Sequence, residues 1–177
     1  MATRFGNLDP FSKDYMIRAL MVPEPLGQIA NPECEPTCCL VKGKAQGRIV
    51  GGNLSLISAT LGTPYEIDTK GKILFLEDVG EEPYAIDRML TQLAIAGKFD
   101  DAVGIVLGTW KGCQSKVRPD SFTVEDLFDM IIAPFQKPTI YNVQIGHGEH
   151  NITLPLGVRA SLDATEGVLM IEESIGV

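Results

Sequence analysis

Positive charge is scarce in this sequence: 15 Lys and Arg stand against 23 Asp and Glu, a net charge of -8. With no dense basic cluster to offset that balance, the charge argues against a nucleic-acid surface. Long apolar runs are missing too. None approaches the ~20 residues needed to cross a bilayer, and the opening MATRFGNLDPFSKDY lacks the apolar core of a secretory signal. The expected setting is therefore the cytoplasm, with neither membrane nor nucleic acid as partner. Internal repeats and low-complexity tracts are absent. Cysteine numbers four, and three of these crowd into PECEPTCCL as Cys34, Cys38 and Cys39. That spacing contains no CxxC pair and no nearby histidine, so it matches none of the usual zinc patterns, and reduced, structurally incidental thiols are expected. Histidine is scarcest among the residues that carry chemistry: His147 and His150, both in GHGEHN.

What is present begins with GKILFLEDVGEEPYAIDRMLTQL, residues 71–93. The apolar run Ile73 to Leu76 has the length of a strand buried on both faces and ends on two acids, Glu77 and Asp78. Pro83 then stands where a helix would start, with Ile86, Met89, Leu90 and Leu93 at helical spacing. A carboxylate is thus expected at the C-terminal tip of a buried strand, the rim at which open α/β sheets bind ligands. Around this unit the pattern is regular. GRIVGGN reads as a short strand closing on glycines, followed by a helix in LSLISATLG; it lacks the GK[ST] of a phosphate loop, so tight strand-to-helix packing explains the glycines better than nucleotide binding. AVGIVLGTW is another buried strand, with its tip at Gly108 to Trp110. Thr123 and Asp126 suggest a capping box for a helix carrying Val124, Leu127, Phe128 and Ile131. Thr139 to Val143 is the next strand. The remainder alternates, with hairpin turns expected at Pro155–Gly157 and around Glu166–Gly167. Ahead of all this, residues 10–21 suit one helix, capped by Asp9 or Ser12 and anchored by Phe11, Tyr15, Ile17 and Leu20. VPEPLGQIANPECEP after it reads as an extended linker. Strands alternating with helices and closed by a β-rich tail give an α/β fold with a mixed sheet.

His147 lies between two glycines at the end of a strand, which lets the backbone turn sharply and leaves the imidazole unobstructed. If Glu77 shares that rim, carboxylate and imidazole form two thirds of a proton relay. The competing reading is a satisfied loop histidine and a carboxylate engaged in a salt bridge. HGEH on a loop lacks the helical HExxH spacing of a metal site; His150 is expected to stabilise the surface or a turn, and Asp87 with Arg88 to form a structural charge pair.

GRIVGGNLSLISATLGTPY, GKILFLEDVGEEPYAIDRMLTQL and GHGEHNITLPLG, in that order and at those intervals, resemble the C-terminal half of the LD-carboxypeptidase family of serine peptidases, which includes muramoyltetrapeptide carboxypeptidases and microcin C immunity-type peptidases. The resemblance runs from about residue 43 to the end, and more loosely through the helix and linker before it. It implies a swivelling β/β/α domain over 43–177, with 1–42 as the end of an N-terminal domain and its linker. It also implies a Ser-His-Glu triad in which Glu77 and His147 are the matching residues. The nucleophile is carried by an N-terminal domain, and no serine here sits in the family's nucleophile motif. The chain is accordingly expected to be a C-terminal piece of a longer protein, or a truncated paralogue, inactive by itself. Further implications are a homodimer, no metal and no organic cofactor. The partners implied are the N-terminal nucleophile domain and a murein-derived peptide cut before its terminal D-alanine. A microcin-type peptide-nucleotide substrate and a non-catalytic peptide- or protein-binding module are the alternatives.

Overall fold

A computed structural model describes residues 6–175 apart from 117 and 119. Its frame is one eight-stranded mixed sheet in the order β1-β8-β7-β3-β4-β5-β6-β2. The centre is parallel: β3 (Lys44–Asn53), β4 (Ile73–Val79), β5 (Gly104–Lys111) and β6 (Thr139–Tyr141). Strand β4 shows why the apolar run forms here. Ile73 and Phe75 enter one core and Leu74 and Leu76 the other, so an unbroken run is buried on both faces. The second core lies under α2 (Leu54–Thr60), α3 (Pro83–Ile95), the short α4 (Lys98–Asp101) and α5 (Val124–Leu127). Of α3, Ile86, Leu90 and Leu93 are fully enclosed, one stripe of a helix opened by Pro83.

Strand β3 joins two pairing regimes. Lys44–Arg48 pairs antiparallel with β7 (Arg159–Asp163), and Ile49–Asn53 pairs parallel with β4. β7 turns back through Glu166–Gly167 into β8 (Val168–Ile171), the hairpin the sequence predicts. Gly51 sits where β3 and β4 draw together; a Cβ there would overlap the Phe75 carbonyl oxygen, and its φ of +145° is one that side chains avoid. Strand-to-strand approach therefore accounts for this glycine, where strand-to-helix packing was expected.

Several expectations are corrected. The segment read as a linker is extended but paired: β1 (Gly27–Ile29) adds antiparallel to β8, and β2 (Cys38–Val41) adds antiparallel to β6 at the opposite edge. Edge strands of three and four residues with one partner each leave no alternation long enough to detect. Helix α1 (Pro10–Met21) forms over the expected span with Asp9 as its cap; Tyr15 is buried and Phe11 packs on the same core, as expected, with Ala19 beside them, while Ile17 and Leu20 are exposed. The turn at Pro155–Gly157 joins no two strands. It docks on β3, where Gly157 N donates to Ile49 O (2.7 Å) and Ile49 N to Val158 O (3.0 Å). After the Thr123–Asp126 capping box the helix widens into a π-helical turn at Phe128–Ile132 and closes as a 3-10 turn at Ala133–Phe135. Asp87 accepts from Thr91 Oγ1 (3.2 Å), not from Arg88; neighbouring positions on a helix diverge.

Candidate functional site

The parallel strands end at one rim, and two of them bring the predicted pair together. Glu77 and Asp78 close β4. Because side chains alternate, the two carboxylates part company. Asp78 turns toward α2 and is buried, accepting from Asn53 Nδ2 (2.9 Å), Ser55 N (3.0 Å), Ser55 Oγ (2.8 Å) and its neighbour Val79 N (2.8 Å). It ties the β4 tip to the first turn of α2, where a negative charge suits the helix dipole. Ser55 is thus committed to structure, as is Ser58, which donates to Gln92 Oε1 (2.8 Å).

Glu77 turns the other way. Opposite it the β4–β5 register slips: Leu76 pairs with Leu107 and Asp78 with Trp110, so Gly108 and Thr109 together face Glu77. A bulge of this kind bends one strand and re-aims side chains beside it. Across the bulge the chain from Val143 to Asn151 folds over the C-terminal tip of β5. Thr109 N donates to Ile145 O (2.9 Å), and Gly146 N donates to Asn151 Oδ1 (3.2 Å). His147 follows, with its Nδ1 2.7 Å from Glu77 Oε2. A carboxylate only accepts, so the contact makes Nδ1–H the donor, and in the neutral imidazole the lone pair then lies on Nε2. The Glu77 side chain is 7% exposed and the imidazole 52%: the acid is enclosed and the base reaches solvent. Gly146, at φ +125°, answers to the acid. A Cβ there would stand 2.5 Å from Glu77 Oε2 and 2.8 Å from Thr109 Oγ1. This glycine, expected to free the imidazole, makes room for the carboxylate.

A cavity of about 450 Å³ opens beside the pair, lined among others by Phe75, Lys111, Glu149 and, from the turn that leads into α1, Asn7, Leu8 and Asp9. Its far wall is riveted to the histidine segment. Ser12 Oγ accepts from Asn151 N (2.9 Å) and donates to Asp9, and His150 Nδ1 lies 3.2 Å from Asp9 Oδ1. Burial alone would raise the Asp9 pKa, but hydrogen bonds from the Ser12 side chain and backbone, then from His150, outweigh it and hold the carboxyl below its ordinary 3.8. His150 thus ties its segment to the cap of α1, where a surface or turn-stabilising role was expected. The partner Asp9, 141 positions away, was not foreseeable from spacing. Thr109 was also missed; the only hint is a hydroxyl placed at a strand tip in LGTW. Among the described residues no group of three or more His, Cys, Asp or Glu is arranged to hold a metal ion. Cys34 and Cys39 are exposed and Cys113 is buried, all with free thiols.

A family model described as the LD-carboxypeptidase C-terminal domain matches residues 46–162, a span that contains Glu77 and His147. A probable murein peptide carboxypeptidase of Bacillus subtilis is 44% identical over 143 residues, 81% of this chain and 45% of that protein. The microcin C7 self-immunity protein MccF of Escherichia coli is 30% identical over 135 residues, 74% of this chain and 38% of that protein. Among solved structures, a muramoyltetrapeptide carboxypeptidase from Oxalobacter formigenes superposes with a TM-score of 0.75 at 25% identity, covering 95% of this chain and 57% of that one. The chain thus spans about half the length of the relatives it matches.

Proposed function

Because the chain belongs to the LD-carboxypeptidase family, we propose that it supplies the base and the supporting acid of a Ser-His-Glu relay in a serine-type LD-carboxypeptidase. The observation that carries this reading is the 2.7 Å contact between an enclosed carboxylate and a half-exposed imidazole at the mouth of a cavity. In the assembled enzyme His147 Nε2 takes the proton from a serine hydroxyl as that oxygen attacks the scissile carbonyl. It then returns the proton to the departing amine. Glu77 holds the tautomer and stabilises the imidazolium without taking the proton itself. The serine and the backbone amides that receive the oxyanion come from a nucleophile-bearing domain, to which this sheet, its edge strands β1 and β2 included, is the C-terminal partner.

The relatives named murein peptide carboxypeptidase and muramoyltetrapeptide carboxypeptidase support a murein-derived peptide as substrate; the family resemblance adds cleavage at the L,D bond before a terminal D-alanine, in the cytoplasm and by a homodimer. Similarity to MccF favours a second reading, cleavage of a microcin-type peptide-nucleotide, by the same relay. No step requires a metal or organic cofactor.

The test is reconstitution with the separately produced nucleophile domain of a family member. Hydrolysis of a murein tetrapeptide that disappears with His147→Ala is expected; the chain alone is expected to be inactive. Release of D-alanine undiminished in H147A refutes the relay, and peptide binding without hydrolysis in any combination supports a non-catalytic module instead. Supplying a peptide-nucleotide in parallel separates the two substrates.

A further inference from the structure

We propose that Thr109 is the positioning residue that holds His147 within hydrogen-bonding reach of Glu77, an inference that rests on the relay proposed above. A threonine hydroxyl has one proton to give and two lone pairs to receive. At Thr109 all three are used on one segment. Oγ1 accepts from His147 N (3.0 Å) and from Gly148 N (3.0 Å), and its proton points to Ile145 O (3.3 Å). Successive amides converging on one oxygen form the concave arrangement that elsewhere binds anions. Here a neutral side-chain oxygen fills it. Two pinned amides fix the peptide planes on both sides of the His147 Cα, and with them the direction in which the imidazole leaves the backbone.

Thr109 is itself fixed. It is buried, it stands in the bulge opposite Glu77, and its own amide donates to Ile145 O (2.9 Å). Branching at Cβ restricts its rotamers, and its Cγ2 lies only 2.8 Å from where a Cβ on Gly148 would stand. The second clamp on this segment, through Ser12 and Asn151, holds Asn151 N and Gly146 N and leaves the His147 and Gly148 amides to Thr109. Two adjacent strand tips therefore place the pair: β4 supplies the acid, and β5, through a single hydroxyl, holds the base that meets it.

The experiment compares Thr109→Val, which keeps the volume and removes the acceptor, with Thr109→Ser, which keeps the acceptor. In the 177-residue chain, NMR should find the His147 Nδ1 proton as a hydrogen-bonded, slowly exchanging resonance in the parent and T109S, and lose it in T109V. In the reconstituted enzyme T109V should lower kcat on the order of 100-fold, the scale of an ångström's misplacement of a catalytic group, with KM within about twofold, and T109S should recover most of the loss. A T109V chain that keeps the parent's Nδ1 resonance overturns the proposal. Should T109V fail to fold, amide exchange in the parent decides: protection of both His147 and Gly148 amides is expected, and exchange of both at open-loop rates overturns it. The relay stands or falls separately, on H147A, so the two failures cannot be confused.

Discussion

At the scale of single residues, the site depends on one glycine, one carboxylate and a few hydrogen bonds, and each can be tested alone. Gly146→Ala places a methyl 2.5 Å from Glu77 Oε2 on backbone at φ +125°. The expected result is loss of the Glu77–His147 contact, read as loss of the Nδ1 proton resonance, with hydrolysis by the reconstituted enzyme falling in step. Glu77→Gln keeps the shape and can present its amide to Nδ1, which then accepts and moves the proton to Nε2. Reversal of the tautomer should cost up to ~10⁴ in kcat, the size of effect that such a swap has in serine triads. Asp78→Ala works through stability instead. Asn53 and Ser55 lose their acceptor at a buried position, a cost of about 1–3 kcal/mol, visible as a lower urea midpoint. The thiols offer a control on burial. Desolvation raises the Cys113 pKa, ahead of backbone hydrogen bonds that lower it, so alkylation near neutral pH should mark exposed Cys34 and Cys39 and spare Cys113 until the chain unfolds.

At the scale of elements, the central parallel strands and their helices were legible because burial on both faces writes long apolar runs. Ile73 to Leu76, Pro83 as a first helical residue and the Thr123–Asp126 box all lie where the pattern puts them. The edge strands β1 and β2 were not, since Gln28 and Cys39 are exposed and three or four residues carry no period. Nor was the π-helical turn, whose Phe128 and Ile132 keep an ordinary helical stripe. The pairing of Glu77 with His147 could be argued from two strand tips; the bulge that lets them meet could not, because register is set by contacts between strands and not within one. Helix α3 tests the packing directly. Leu90→Ala empties a fully enclosed site under β4 and should cost 2–5 kcal/mol, whereas Ile95→Ala, at an exposed position, should change the midpoint little.

At the scale of the whole molecule, the acid balance of the surface governs its response to pH. Asp68, Asp163 and Glu66 are each held below their ordinary values by hydrogen bonds from Lys72, Lys44 and Lys98, and Asp9 is held low despite its burial. A carboxyl depressed in the folded state binds its proton more weakly there than in the unfolded chain. Its contribution is therefore complete above the ordinary range, near 3.8 for Asp and 4.5 for Glu, and drains away as pH falls through the lower folded value. Thermal midpoints should accordingly be level at neutral pH and drop below about pH 4.5, and added salt should flatten the share owed to the exposed pairs. The α1 rivet has a consequence of another kind. Asn7 and Leu8 line the cavity while Asp9 and Ser12 grip the segment after the imidazole. In the proposed relay, a group on a polypeptide leading into α1 would enter at the rim of this cavity and meet His147 at the effective concentration of a short tether.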